Sequence, residues 1–323
     1  MSTVPHTTPP AVIFPEDLSR AGDPRLKHRI LPWTGDPADV ALLGVPYDEG
    51  VALNGGRVGA AEGPQAFRQA VLRFGTTYDA GRGLSFDHLT IADAGDLDVI
   101  PGDPAGTHQR LSEAVEVITG SGAIPVIIGG GNDATFGSAQ GLSLTYGDIG
   151  GANIDAHLDM REVIDGVCHS GTPYRRILEE LRVPGERIVE LGLHSATNSA
   201  EHLQYAAEHR VGCWGLEQLR EAGPANILNG QLNRLSAGAD ALFVSIDLDV
   251  FSAAFAPGVS APGTEGLTPG EGRAMAFVAG RHRSVKLFEL MEFSPPHDID
   301  QRTGRLAVLL LHAFLSGLAS RKN

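Results

Sequence analysis

The segment IGGANIDAHLD, from Ile149 to Asp159, contains the pattern that decides the fold. It begins with apolar and small residues and ends with three ionisable side chains at alternate positions, Asp155, His157 and Asp159. A nearly continuous apolar run of five to eight residues is typical of a parallel strand buried on both faces. We therefore predict a buried parallel strand whose carboxyl end presents polar side chains.

Similar apolar runs recur along the chain, each closed by Gly, Pro or Asp, and helical patterns alternate with them. The clearest helical patterns are Gly63–Phe74, Gly106–Gly122 and the apolar Leu306–Ala319, and a further helix follows Asn198, a candidate N-cap. Such alternation implies βαβ units, right-handed crossovers and one doubly wound, mainly parallel sheet. The predicted strands are Val40–Pro46, Leu89–Asp96, Ile124–Gly131, Ile149–His157, Arg187–His194, Ala241–Val250 and Ser284–Phe293.

Length and composition restrict the class of protein. No linker or internal repeat divides the 323 residues, so we predict an N-terminal arm, residues 1–35, and one catalytic domain, residues 36–323. The net charge of −14, without a long basic run, disfavours nucleic acid and anionic membranes as partners. Two cysteines without CxxC spacing fit a reducing compartment. The N-terminus does not resemble a signal peptide, and the longest apolar run is too short to span a bilayer, which predicts a cytoplasmic protein.

Two acidic motifs predict a metal centre. If the strand containing Asp155, His157 and Asp159 stays extended, period two points these side chains to one side, where they would repel one another unless a cation gathers them. The alternative is a polar strand end that faces water and forms structural hydrogen bonds. SIDLDV adds Asp247 and Asp249 after another apolar strand. Four carboxylates exceed what one ion needs, whereas shared carboxylates naturally bridge two ions. Oxygen ligands with one imidazole suit Mn²⁺, with Zn²⁺ and Fe²⁺ as alternatives.

Glycines precede another candidate ligand in GGGND, where Asn132 and Asp133 follow an apolar strand. The stretch lacks the Lys-Ser/Thr ending of a P-loop and does not match G-x-G-x-x-G, so nucleotide binding is disfavoured. Asp133 is expected to cap the next helix or to orient a metal ligand.

The order GGGND, NIDAHLD, SIDLDV and LMEF resembles the ureohydrolase superfamily of arginase, agmatinase and formimidoylglutamase, from Gly44 to Leu311. This resemblance implies an arginase-like three-layer α/β/α fold, two Mn²⁺ per chain, attack of hydroxide on an amidine or guanidinium carbon, and a homotrimer or homohexamer.

The resemblance also implies roles for the acidic residues. Asp155 and Asp247 would be shared by both ions, Asp159 would complete one ion's ligands, and His157 with Asp249 the other's. Glu292, in LMEF, would steer the cationic amidine, and Asp249 would carry a proton. Asn132 stands where the superfamily usually has a histidine ligand, so its amide is expected to hold one ion weakly, directly or through a water.

Other residues resemble the formimidoylglutamase branch, whose substrate is N-formimidoyl-L-glutamate. Arg161 follows D-x-H-x-D directly, and a guanidinium binds a substrate carboxylate bidentately. Ser170 replaces the proton-shuttling histidine of agmatinases, and the adjacent His169 should point elsewhere. The resemblance therefore implies a small carboxylate-bearing substrate, with the substrate-binding candidates Asn54, Arg57, Arg161, Ser170 and Asn198.

Three functions remain open from the sequence. The leading one is hydrolysis of formimidoylglutamate to glutamate and formamide, and the second is the activity of an agmatinase or of a guanidino-acid hydrolase of the same superfamily. The third is a metal-poor binding or regulatory homologue, because Asn132 replaces a usual ligand.

Overall fold

All seven predicted strands lie in one ten-stranded sheet of the computed structural model, which describes residues 4–14 and 23–322. The observed strands end up to three residues before the predicted limits at the polar motifs, because those motifs bend the chain. The strands are β1 Thr7–Thr8, β2 Ile30–Pro32, β3 Val40–Gly44, β4 Tyr78–Asp79, β5 Leu84–Ser85, β6 Ile91–Leu97, β7 Ile124–Ile128, β8 Ile149–Ile154, β9 Ile188–Leu193, β10 Gly212–Gly215, β11 Ala241–Asp247 and β12 Val285–Met291.

The sheet has the order β1-β6-β3-β7-β12-β11-β8-β9-β10, with β2 also paired to β6 and with β4 and β5 forming a separate hairpin. Only the pairing of β1 with β6 is antiparallel within the described part of this sheet. The predicted mainly parallel, doubly wound sheet is therefore confirmed. The segment predicted as an N-terminal arm contributes β1 and β2 to one edge.

Helices cover both faces of the sheet, as the three-layer prediction requires. One hydrophobic cluster joins the sheet to α2, α7, α8, α9 and α10, and the other joins it to α3, α4, α5 and α6. Adjacent strand residues such as Leu42 and Leu43 belong to opposite clusters, which is the period-two pattern of a doubly covered strand. The helices are α1 Glu49–Leu53, α2 Gly63–Arg73, α3 Pro104–Gly120, α4 Ala134–Tyr146, α5 Pro173–Glu179, α6 Ala200–Glu208, α7 Leu216–Ala222, α8 Pro224–Leu235, α9 Pro269–Arg281 and α10 Arg302–Ala319.

Two residues that were candidates for helix caps, Asn198 and Asp133, make no capping hydrogen bond. Ser199, not Asn198, caps α6, since its hydroxyl accepts the His202 amide hydrogen. Asp133 precedes α4 but makes no side-chain capping bond. In both cases the neighbouring tertiary structure engages the side chain that a local motif would have used for capping. No helix among the described residues has the length and apolarity needed to cross a membrane.

Candidate metal centre and substrate pocket

Asp155 and Asp247 lie side by side because β8 and β11 are parallel neighbours that pair Ile154 with Ile246. Both carboxylates are buried, with 0% and 2% of the residue exposed. Their position after paired strand ends places them in the crevice where open α/β sheets bind ligands.

The backbone bends sharply at both motifs, which corrects the prediction of an extended D-x-H-x-D segment. Asp155 accepts the amide hydrogen of His157 at 2.7 Å, and Asp247 accepts that of Asp249 at 2.9 Å. A carboxylate that accepts the amide two residues ahead forms a tight turn. The side chains therefore converge through two similar turns, and not through period-two extension.

The converging side chains form two groups whose ligand atoms lie within 4.8 Å of one another. Asp155 belongs to both groups, joining His157 and Asp249 in one and Asp159 and Asp247 in the other. His157 Nδ1 lies 3.2 Å from Asp249 Oδ2 and 3.5 Å from Asp155 Oδ1. This division into two sets around a shared carboxylate is the arrangement expected of a two-ion centre.

Two acidic residues of the site adopt left-handed backbone conformations. Asp159 has φ 48° and Glu292 has φ 63°. Such conformations are unfavourable for residues other than glycine and persist where surrounding structure holds them. The site therefore places both carboxylates at a local conformational cost.

Glu292 is oriented by the glycine-rich turn. Its Oε1 accepts the backbone amide hydrogen of Asn132 at 2.9 Å, and the backbone amide of Glu292 donates to the Gly130 carbonyl. The other oxygen, Oε2, is buried and has no hydrogen-bond partner among the described residues. Glu292 lines the pocket, so this oxygen is free to receive a hydrogen from a ligand.

Gly130, the central glycine of GGGND, is required by close packing against the backbone. A Cβ on Gly130 would lie 1.5 Å from the Tyr47 carbonyl oxygen. This contact lets the turn bring Asn132 to the acidic cluster. Asp133 accepts a hydrogen bond from His108 Nε2 at 2.8 Å.

The Asn132 side chain reaches the cluster directly. Its Nδ2 lies 2.7 Å from Asp159 Oδ2 and 3.2 Å from Asp155 Oδ2, while its Oδ1 lies 2.9 Å from the Thr135 hydroxyl. The structure thus brings all six predicted ligand residues together.

The carboxylates repel one another in this setting. Burial, and then the charges of neighbouring carboxylates, raise the pKa of Asp155, Asp159 and Asp247. Asp249 raises the pKa of His157, and Asp249 Oδ1 is buried without a hydrogen-bond partner among the described residues. Divalent cations would neutralise this cluster and engage its unpartnered oxygen, so the donor set fits a pair of manganese ions.

The cluster forms the floor of a cavity of about 310 Å³. All five predicted substrate-binding residues line it, which are Asn54, Arg57, Arg161, Ser170 and Asn198. Asn54 Nδ2 donates to the Ser170 hydroxyl at 3.0 Å, so this pair joins the two loops of the rim.

Arg161 lies at the exposed mouth of the cavity. Its side chain crosses Gly171, where a Cβ would approach the Arg161 Cδ to 2.9 Å. The neighbouring Glu162 pairs with Arg175 instead, and Arg161 has no ion pair within the described residues. Its guanidinium is therefore available to a ligand carboxylate.

Two other rim candidates already bind the protein itself. Arg57 donates to the carbonyl oxygens of Val259 and Ser260. Asn198 donates to the carbonyl of Ala156 and accepts from the amide of Leu158, and these two residues flank His157. Both side chains therefore brace loops of the pocket.

The sequence offered no signal for several other lining residues, including Thr197, His202 and Ser260. His202 belongs to the first turn of α6, where a lone histidine indicates nothing particular. His169, by contrast, accepts the Gly171 amide hydrogen through Nδ1, in keeping with the expectation that it points elsewhere.

Comparisons with known proteins agree with this geometry. A sequence model of the arginase family matches residues 38–316. Formimidoylglutamase of Chromobacterium violaceum is 33% identical over 283 residues, which cover 87% of this chain and 88% of that protein. Human mitochondrial guanidino acid hydrolase is 29% identical, covering 98% of this chain and 88% of that protein. The crystal structure of Trypanosoma cruzi formiminoglutamase with Mn²⁺ has a TM-score of 0.87 and 34% identity, covering 93% of this chain and 99% of that one.

Proposed function

The chain belongs to the arginase family, and on that premise we propose that it hydrolyses N-formimidoyl-L-glutamate to L-glutamate and formamide. Water adds its oxygen to the formimidoyl carbon, and the bond from that carbon to the glutamate nitrogen breaks. The observation that carries this choice of substrate is the Arg161 guanidinium, which has no ion pair among the described residues and lies at the mouth of an acidic cavity.

Two Mn²⁺ ions per chain are part of the proposal. Asp155 and Asp247 would hold both ions, Asp159 and Asn132 would complete one set of ligands, and His157 with Asp249 the other. Bound manganese supplies Lewis acidity, which lowers the pKa of water toward neutrality.

Glu292 and Asp249 handle charge and protons on the floor of the cavity. The free Oε2 of Glu292 accepts a hydrogen from the amidinium group and so orients its carbon toward the carboxylate cluster. Asp249 belongs to the cluster and carries a proton to the departing amine through the carboxylate oxygen that does not hold an ion. That proton is needed because an amine leaves readily only when it is protonated.

The rim selects the rest of the substrate. Arg161 binds a glutamate carboxylate through charge-assisted hydrogen bonds, and Asn54 with Ser170 offers polar contacts beside it. Asn198 and Arg57 keep the surrounding loops in place. Agmatine, which lacks a carboxylate, gains nothing from Arg161.

A substrate panel on manganese-loaded protein tests the proposal. Formimidoylglutamate, agmatine, arginine and guanidinobutyrate are incubated separately, and formamide and urea are measured together with the metal content of the same sample. We expect formamide from the first compound and about two Mn²⁺ per chain. Faster urea release from a guanidino compound would contradict the proposed substrate. Guanidinobutyrate is the main alternative substrate because a guanidino acid hydrolase is among the relatives.

Two further features extend the proposal. We place the enzyme in the cytoplasm, since Cys168 and Cys213 are free thiols in the structure.

We also propose a homotrimer or homohexamer, which light scattering of the purified protein would distinguish from a monomer.

A further inference from the structure

A row of polar side chains crosses the sheet directly beneath the acidic cluster. Four neighbouring strands, β9, β8, β11 and β12, place Glu190, Asn153, Ser245 and Glu289 in register. All four residues are fully buried, and their sequence parity directs them to the face covered by α4 and α5. Buried polar groups in such a layer are costly unless they are hydrogen-bonded.

One end of this row reaches Asn132 through a single hydroxyl. Thr135 Oγ1 lies 2.9 Å from Glu289 Oε2 and 2.9 Å from Asn132 Oδ1. A threonine hydroxyl carries one hydrogen, so it donates to only one of these two oxygens. A carboxylate is the stronger acceptor of the two.

This limit on the hydroxyl determines the orientation of the amide. If Thr135 donates to Glu289, its oxygen can only accept from Asn132, and the Asn132 nitrogen must then face Thr135. A half-turn of the amide achieves this with little change of shape, since the two ends are nearly alike. The amide oxygen then faces Asp155 and Asp159, and oxygen is the end that can bind a metal ion.

The acidic cluster by itself favours the reverse orientation. With the nitrogen inward, Asn132 donates to Asp159 at 2.7 Å and to Asp155 at 3.2 Å. Glu289 and the cluster therefore compete for the orientation of one amide, and a cation in the cluster would shift the balance towards oxygen.

We propose that Thr135, anchored by Glu289, is a positioning residue that turns the Asn132 amide oxygen toward the metal centre. This inference rests on the proposed manganese function. Under this inference, Glu289 and Thr135 increase the affinity of the site next to Asn132 for its metal ion.

The two glutamates of the row differ in a way that agrees with this assignment. Glu289 accepts from both Ser138 and Thr135, and these hydrogen bonds act against the rise in its pKa that burial causes. Neither oxygen of Glu190 has a partner among the described residues, and burial raises its pKa well above the ordinary value. Glu289 is thus the end of the row that is equipped to act as an acceptor.

The test compares metal affinity in two parents. Thr135→Val and Glu289→Gln are each made in the natural chain and in an Asn132→Asp parent. Mn²⁺ binding is then measured by equilibrium dialysis and by the electron paramagnetic resonance signal of free Mn²⁺. Aspartate presents oxygen at both ends, so the Asn132→Asp parent has no amide orientation to select.

We expect each substitution to weaken one of the two ions about tenfold in the natural chain, and less than twofold in the Asn132→Asp parent. Thr135→Ser, which keeps the hydroxyl, should restore the natural affinity. Equal losses in both parents, or no loss in the natural chain, would overturn the inference. Because this readout needs no substrate, a protein that shows the expected pattern but releases no formamide would refute the proposed function and leave the inference intact.

Discussion

The floor and the rim of the cavity differ in charge, in burial and in the elements that build them. The floor is the cluster of buried carboxylates at the ends of neighbouring parallel strands, of which Asp247 lines the cavity and Asp155 is fully buried. The rim consists of loop and helix-terminal residues and includes Arg161, a cation without an ion pair among the described residues. A strand end is held on both sides by its neighbours, whereas a loop can change without disturbing the sheet. The floor is therefore suited to a constant chemical task and the rim to the choice of substrate.

Removal of a shared carboxylate should produce the largest effect. Asp155→Asn is expected to lower manganese content and to reduce kcat/KM by more than the roughly 1,000-fold that marks the upper range for loss of one electrostatic partner. An amide cannot supply the charge shared by two ligand sets. Metal analysis and steady-state kinetics on the same sample check this, and full metal content in the variant would mean that the floor does not work as a unit.

The next effect separates metal binding from substrate orientation within the floor. Glu292→Gln is expected to reduce kcat/KM roughly 100- to 1,000-fold, the range for loss of one electrostatic partner of the reacting group. Manganese content should stay unchanged, since no ligand is lost. A parallel loss of metal would instead show that Glu292 belongs with the ligands.

A rim substitution should act on substrate choice alone. Arg161→Ala is expected to reduce kcat/KM for formimidoylglutamate roughly 10- to 100-fold by removing charge-assisted hydrogen bonds to a carboxylate. Hydrolysis of a formimidoyl alkylamine without carboxylates should hardly change, and metal content should not change.

Arg175→Ala provides the matched control for Arg161. Arg175 pairs with Glu162 and Glu179 and does not line the cavity. Its removal should leave the ratio of the two substrates as it is. A similar loss for both substrates in Arg161→Ala would mean that the rim and floor are coupled.

The smallest expected effect is an increase in manganese affinity. Asn132→His should tighten the weaker manganese ion by about tenfold, because imidazole is a better donor than a neutral amide. Metal titration into both proteins measures this difference. Equal affinities would remove Asn132 from the ligand set.

The sequence was sufficient to predict the residues of the floor, because one local pattern indicates both a strand and the polar residues at its end. Apolar runs that end in D-x-H-x-D and D-x-D predict parallel strands and polar strand ends at once, and parallel strands place these ends at one edge. The detailed path was less predictable. The turns at His157 and Asp249 depend on carboxylate-to-amide hydrogen bonds, which alternation alone does not reveal.

The rim was predicted only through its resemblance to known enzymes, and its internal contacts were not predicted. Asn198 was expected to cap a helix, yet it binds the backbone on both sides of His157. His202 was missed altogether. Contacts between residues about 40 positions apart, as between Asn198 and Leu158, leave no local periodicity to read.

By itself, the sequence determined the alternation of strands and helices, the acidic character of the site and the principal residues of the acidic cluster, because these follow from residue types next to one another in the chain. Only the tertiary structure decided which side chains are hydrogen-bonded to one another. Thr135 lies between Asn132 and Glu289 because α4 packs against β12. Thr135 and Glu289 are 154 positions apart in the chain. The orientation of one amide at the metal centre is thus set by packing, since a hydroxyl has a single hydrogen to give.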